Sequence, residues 1–316
     1  MHAASPQSGA ATFTLQIQEL YHYLKDIFRS IAEKDYVFDF KTCHEIVAGA
    51  VDHILAIEES QLGQDRENEV VRAIFEDYEH DLLRHSISVF LICIEVGCTL
   101  RQPHEKLVKL GMASLLHDLI MYHMPERLLT HSGAFSESDR QDWRRHIREG
   151  FEHLSTVALP PWIANIVFYL VRKNLEFPVE LKQRDQFEFA MIIEMANSYE
   201  AITHRRSWRT SLDSFAVVSA ILKSSDVVPQ YLIKALFMTF SIFAPNSYVL
   251  LNNGEVALVI GVNKNYPLRP RIRIVFDSQK HFKKVPRELD LKEHRTFTIV
   301  DPVPNDEVER WRAQGG

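Results

Sequence analysis

Cysteine is scarce in this chain: 316 residues contain three, Cys43, Cys93 and Cys98. The odd count argues against a disulfide scaffold, and the spacing is not that of a zinc site. Cys93 and Cys98 sit in an apolar stretch and read as small core residues. This usage fits a reducing, cytoplasmic location. An excess of one charge is also missing. A formal net charge of -6 gives no general pull towards nucleic acid or an anionic membrane. The opening residues, MHAASPQSGAAT, lack the basic start and apolar run of a signal peptide. No run of about 18 apolar residues occurs, so no spanning helix is expected. Glycine-rich phosphate loops, nucleophile elbows and internal repeats are absent. What remains is an ordinary globular balance, 46% hydrophobic and 25% charged, enough for one large domain or two smaller ones. The one unusual count is 15 histidines, which directs attention to metal spacing.

Hydrophobic periodicity divides the chain into four parts. Residues 1–12 read as a disordered tail. Residues 13–75 read as N-terminal helices, because apolar residues recur every three or four positions in LQIQELYHYLKDIF and again in FDFKTCHEIVAGAVDHILAI, with Asp39 placed to cap the second. QLGQDREN between them and the next part is polar and reads as a loop. Residues 76–244 stay helical with short polar breaks. HSISVFLICIEVG is a buried helix ending at Gly97, and HEKLVKLGMASLLHDLIMY is another. Ser136, with Asp139 three residues on, is a candidate N-cap and imperfect capping box for the next. Pro160-Pro161 breaks the chain, and DQFEFAMIIEMANSYEAIT, SLDSFAVVSAILKSS and QYLIKALFMTFSIFA follow. Residues 245–316 change character. EVALVIGVN, RIRIVFD and TFTIVD are short and β-branched, and Asn253-Gly254 is a hairpin signal. The fold class is therefore mostly α, with a small C-terminal β-element.

The sharpest chemical feature is His117-Asp118, at the end of an apolar helical run. Adjacent residues on a helix point about 100° apart, so this pair can flank one metal but cannot complete its shell. Further ligands must come from other helices, and His85 in LLRHSISVF and His146 in WRRHIREG are the candidates. A His-Asp pair alone is more often a solvated helix end; the order of the other stretches is what lifts it.

That order resembles the HD-GYP domain, a helical phosphodiesterase fold of the HD phosphohydrolase superfamily. The family pattern runs HSxxVA, ALLHDIGKIGIPDxIL, KPGxLTxEE, MKxHPxxGxxIL, HHExxDGxGYP and ADxYDALTSxRxYR. The chain reads HSISVF, SLLHDLIMYHMPERLL, THSGAFSESD, RRHIREGFEHL, LVRKNLEFP and ANSYEAITHRRSWR. The resemblance covers about residues 70–303. It implies an HD-type helical bundle in which His85, His117 and Asp118 are metal ligands, Asp118 at the metal-bridging position, with His146 on a second metal. It further implies that Arg206 and Arg209 contact phosphate, that Tyr199 and Thr203 are framework, and that the substrate is cyclic di-GMP.

The departures from the pattern are as informative. The lysine of HDIGK is Met121, GYP is Glu176-Phe177-Pro178, and the aspartate of ADxYDALT is Asn197. The HHE pair has no counterpart, since no histidine lies between His153 and His204. A two-metal site needs about three protein ligands per ion besides the bridge. Here the first metal keeps His85, His117 and Asp118 and gains only a neutral amide from Asn197. The second keeps His146 and the shared Asp118. The expected cofactor is one divalent transition metal, iron or manganese, and a two-metal centre is not expected. His80, His123, His131, His153 and His204, and Glu76, Asp77 and Glu79, are the nearest candidates for substitute ligands; each reads more simply as a solvated or hydrogen-bonded side chain. The segment 263–295 holds ten Lys/Arg against four Asp/Glu and reads as a charge-mixed β-surface rather than a phosphate site.

Two functions follow. The first is a degenerate HD-GYP-like signalling protein with hydrolysis lost or strongly reduced, binding a cyclic dinucleotide or a protein partner. The second is a divergent metal-dependent phosphodiesterase that rebuilt its site. The lost ligands point to the first. No nucleic-acid partner and no membrane span are expected in either case.

Overall fold

The computed structural model describes residues 6–32, 38–59, 81–122, 124–129, 131, 134–172, 179–203, 228–240, 243, 246–261, 263, 266 and 268–314. The chain divides into two compact units, residues 1–200 and 201–316.

The first unit is helical. Helix α1 (Pro6–Ala32) begins with proline at its first position, which a helix tolerates, and starts inside the span read as a tail. Its buried residues Ile17, Leu20, Leu24, Ile27 and Ile31 alternate by three and four and form one stripe. That stripe meets α2 (Phe40–Glu59), whose own buried stripe runs through Cys43, Val47, Ala50, Val51 and Ile54. Asp39 caps α2 as expected: its carboxylate accepts from the Lys41 and Thr42 amides at 3.0 and 3.1 Å.

Helix α3 (Asp81–Thr99) is buried almost all round, from Ile87 through Val96, the pattern of a central core helix. It runs two residues past Gly97, and Arg101 takes the left-handed position beyond it with φ 54°. Its segment Leu82–Thr99 is long and apolar enough to cross a membrane by length and composition alone, although Arg84, His85 and Glu95 interrupt it. Most of that segment is packed inside the fold, as a core helix is. Helix α4 (His104–Leu115) packs on α2 and α3 and meets α7 (Pro161–Leu170). Each fully buried aliphatic or aromatic side chain in these layers contributes roughly 1.5–3 kcal/mol relative to exposure.

Between α4 and α7 the chain makes a 3-10 turn, Leu119–Met121, a short helix α5 (Glu126–Leu129) and α6 (Glu137–Leu154). The Ser136 capping box is complete: its hydroxyl accepts from the Asp139 amide at 3.1 Å, and Asp139 accepts from the Ser136 amide at 3.1 Å. Helix α6 lies directly on the 3-10 turn, because Gly150 has no side chain where a Cβ would fall 2.4 Å from the Ile120 carbonyl oxygen. Helix α8 (Arg184–Thr203) carries Asn197, Tyr199 and Glu200. SLDSFAVVSAILKSS and QLGQDREN lie outside the described residues.

In the second unit, α9 (Gln230–Thr239) precedes a five-stranded antiparallel sheet of order β4-β3-β2-β1-β5. The strands are β1 (Tyr248–Leu251), β2 (Val256–Gly261), β3 (Arg271–Phe276), β4 (Phe282–Asp290) and β5 (Ile299–Val303). The Asn253-Gly254 hairpin forms between β1 and β2, with Gly254 at φ 82°, a conformation that favours glycine. One face buries Val249, Leu251, Ala257, Val259, Ile272 and Ile274. The other buries Val256, Val275, Phe276 and Val303 beneath a closing helix, α10 (Asn305–Gln314), through Val308 and Trp311. The basic segment 263–295 is interleaved with acids, Arg273 pairing with Glu288 at 2.6 Å and Lys283 with Glu255 at 2.6 Å. The sequence-based reading missed β1, β4 and α10.

Candidate metal centre

The helix before His117-Asp118 stops earlier than its apolar run does. Leu115 is its last residue, and Leu116 leaves helical geometry with φ −99° and ψ 5°. Asp118 follows with φ −100° and ψ 12°. The pair is therefore not splayed by 100° as on a helix. His117 Nε2 lies 3.3 Å from Asp118 Oδ1. The other ring nitrogen, Nδ1, donates to the Ser114 carbonyl at 2.8 Å, which leaves Nε2 as the lone-pair side. That atom is buried and has no hydrogen-bond partner.

His85, one turn into α3, approaches from the other side. Its ring centroid is 5.4 Å from that of His117, and its Nε2 lies 3.5 Å from Asp118 Oδ2. One potential ligand atom from each of His85, His117 and Asp118 falls within 4.8 Å of the others. Two imidazole nitrogens and a carboxylate so placed match the donor set of a divalent transition metal. The orphaned Nε2 of His117 is the observation that fits a metal best, since an unsatisfied buried polar atom is costly.

Behind this group stands a buried ion pair. Glu200, 1% exposed, accepts from His85 Nδ1 at 2.6 Å through one oxygen. Its other oxygen takes Arg84 Nη1 at 3.1 Å, and Arg84 is 4% exposed. Sequence reasoning missed both residues. The available signals were an arginine at the head of the apolar helix LLRHSISVFLIC and a glutamate at the position where the family pattern has the second aspartate of ADxYDALT. The electrostatics of the two histidines diverge. Burial opposes a charge on His85, yet the Glu200 carboxylate, with help from Asp118, outweighs it and holds the ring above its ordinary pKa. Burial also disfavours a charge on His117 and there prevails, holding that ring below its ordinary value.

Asn197 lies three residues before Glu200 on α8, half-buried, and so shares the helix face that reaches His85. His146, on α6, stands outside the three-residue group, and its Nδ1 lies 3.1 Å from Glu149 Oε2. Met121 is half-buried at the end of the 3-10 turn. Burial pushes the Tyr199 phenol up. Among the substitute candidates, His131 faces the Ala134 carbonyl at 3.4 Å and His153 stacks near Tyr122 with centroids 5.3 Å apart. Neither joins the group. Arg206, Arg209, His80, His123, His204, Glu76, Asp77 and Glu79 lie outside the described residues.

Comparison with known proteins adds a family. Residues 69–224 match the HD domain, and residues 248–310 match the KOW domain associated with HD domain. The chain is 21% identical over 231 residues to cyclic di-GMP phosphodiesterase PA4108 of Pseudomonas aeruginosa, covering 72% of this chain and 55% of that protein. It is 21% identical over 200 residues to cyclic di-GMP phosphodiesterase PdeB of Borreliella burgdorferi, covering 62% of this chain and 52% of that protein. The chain thus spans about half the length of these relatives. No solved structure matches it. The HD match encloses His85, His117, Asp118 and Glu200, and with the two relatives it identifies this chain as a member of the HD superfamily, of the HD-GYP type.

Proposed function

We propose that this chain is a cytoplasmic HD-GYP-type signalling protein that holds one divalent transition metal, iron or manganese, and binds cyclic di-GMP. In this reading it hydrolyses that ligand far more slowly than a two-metal enzyme does, and it acts through binding, either of the dinucleotide or of a protein partner. The observation that carries the reading is the ligand count. His85, His117 and Asp118 converge within 4.8 Å, whereas the second site keeps His146 and has no HHE pair to complete it.

The residues have distinct tasks. His85 and His117 would hold the metal as neutral nitrogen donors, and Asp118 would supply a negative charge. Asn197, an amide where the family has a carboxylate, leaves more of the metal charge uncompensated. Met121 replaces a lysine and gives no charge to a phosphate. Arg206 and Arg209, which match the family's arginines in sequence, would serve as phosphate contacts. A metal held here would supply Lewis-acid chemistry. The loss of the second half of a two-metal clamp removes stabilisation of the attacking and leaving oxygens. Each such loss is worth several kcal/mol, and about 1.36 kcal/mol is tenfold in rate.

The alternative, a divergent phosphodiesterase, is favoured by one observation: His85, His117 and Asp118 of the first site converge, and each imidazole has its second nitrogen anchored. Equilibrium binding and turnover of cyclic di-GMP with added manganese or iron separate the two. The expected result is binding with turnover well below about 1 s⁻¹, and a faster rate in the paired variant Asn197→Asp, Met121→Lys. Turnover of the unaltered protein at about 1 s⁻¹ or above would put the enzyme reading in place of this one.

A further inference from the structure

We infer that Glu200 is a positioning residue that, clamped by Arg84, fixes His85 in the tautomer that presents a bare Nε2 to Asp118. The inference rests on the metal reading of this site only for its consequence, since the tautomer belongs to the metal-free protein.

The argument starts from donor and acceptor inventories. An ionised carboxylate only accepts hydrogen bonds, and a neutral imidazole has one N–H and one lone pair. Glu200 Oε2 sits 2.6 Å from His85 Nδ1, so the proton of the neutral ring must be on Nδ1. The lone pair is then on Nε2, the nitrogen 3.5 Å from Asp118 Oδ2. The opposite tautomer would set two acceptors face to face at 2.6 Å. The carboxylate could evade its task only by swinging away. Arg84 prevents this: its Nη1 holds Oε1 at 3.1 Å, and both partners are nearly fully buried. The pair also lets a carboxylate stay ionised in the core, which an isolated buried charge would not. Arg84 and His85, adjacent in α3, and Glu200 in α8, 116 and 115 positions on, form one chain of contacts, Arg84 to Glu200 to His85.

The nearly isosteric change Glu200→Gln reverses the logic. Gln has one acceptor and one donor end. Arg84 is a donor only, so it claims the oxygen, and the amide NH₂ then faces His85 Nδ1. That nitrogen must become the acceptor, and the ring proton moves to Nε2, where it blocks a metal. Partners of this kind typically set metal affinity by about 10–100-fold.

Long-range ¹H–¹⁵N correlation of the metal-free protein, at alkaline pH where His85 is neutral, reads the tautomer directly. His85→Gln identifies the resonances by their loss. The unaltered protein is expected to carry the proton on Nδ1, and Glu200→Gln to carry it on Nε2, with manganese affinity by calorimetry lower by about 10–100-fold. A proton on Nε2 in the unaltered protein overturns the inference, and so does a Glu200→Gln protein with the original tautomer and affinity. Should melting show that Glu200→Gln does not fold, the tautomer of the unaltered protein decides alone. If the unaltered protein takes up no manganese, the metal reading fails while the tautomer still tests the role of Glu200.

Discussion

His85 and His117 face one carboxylate from two sides, and their protonation differs because their backs differ. His117 rests on the neutral Ser114 carbonyl, whereas His85 rests on the Glu200 carboxylate. A metal requires both rings neutral at Nε2. His117, held below its ordinary pKa, is already neutral at neutral pH. His85, held above its ordinary pKa by the Glu200 carboxylate with help from Asp118, holds its proton more tightly than His117 does, and that proton competes with the metal. Apparent manganese affinity should therefore rise by about tenfold per pH unit below the His85 pKa and level off above it. Calorimetric titrations across about pH 6–8 check this, and a flat profile there would count against it. At this scale the histidines and Asp118 were legible in the sequence, because order and spacing carry them. Glu200 and Arg84 were not. A buried charge becomes interpretable only once its partner is known, and these partners are 116 residues apart in sequence.

Helix ends were the most readable elements. Asp39, Ser136 and Pro161 each sit at a helix start for a local reason, a side-chain cap or a proline at the first position. Asn253-Gly254 marks its hairpin equally locally. Strand β4 escaped because it is an edge strand whose residues are mostly exposed, with Lys283, Lys284, Pro286, Arg287 and Glu288 in place of apolar alternation. Helix α10 is short and polar apart from Val308 and Trp311, so its periodicity is faint. The end of α4 at Leu115 was also hidden, since the apolar run continues through Leu116 and beyond His117-Asp118 to Leu119 and Ile120. Its consequence is functional, because leaving the helix brings Asp118 back towards His117. The seat of this turn is Gly150, and a methyl there would meet the Ile120 carbonyl oxygen at 2.4 Å. Gly150→Ala should destabilise the fold by about 1–3 kcal/mol through overpacking. That corresponds to about 2–4 °C per kcal/mol in a unit of this size. Thermal melting reads it, and an unchanged midpoint would mean that α6 yields without cost.

For the whole molecule, the HD assignment and the mostly helical architecture agree with the sequence pattern, and the C-terminal sheet lies where β-branched alternation placed it. In the proposed reading, this chain differs from the family pattern it resembles by subtraction: no histidine lies between His153 and His204, and Met121 and Asn197 stand where the pattern has a lysine and an aspartate. One group of three ligands remains among the described residues, backed by the Glu200–Arg84 pair. Metal stoichiometry tests the resulting single-metal centre most directly. Elemental analysis of the protein after loading with manganese and removal of excess should find about one equivalent per chain, and next to none in His117→Ala, which removes a first-site ligand. Two equivalents in the unaltered protein, or one retained in His117→Ala, would contradict a single centre built on His85, His117 and Asp118.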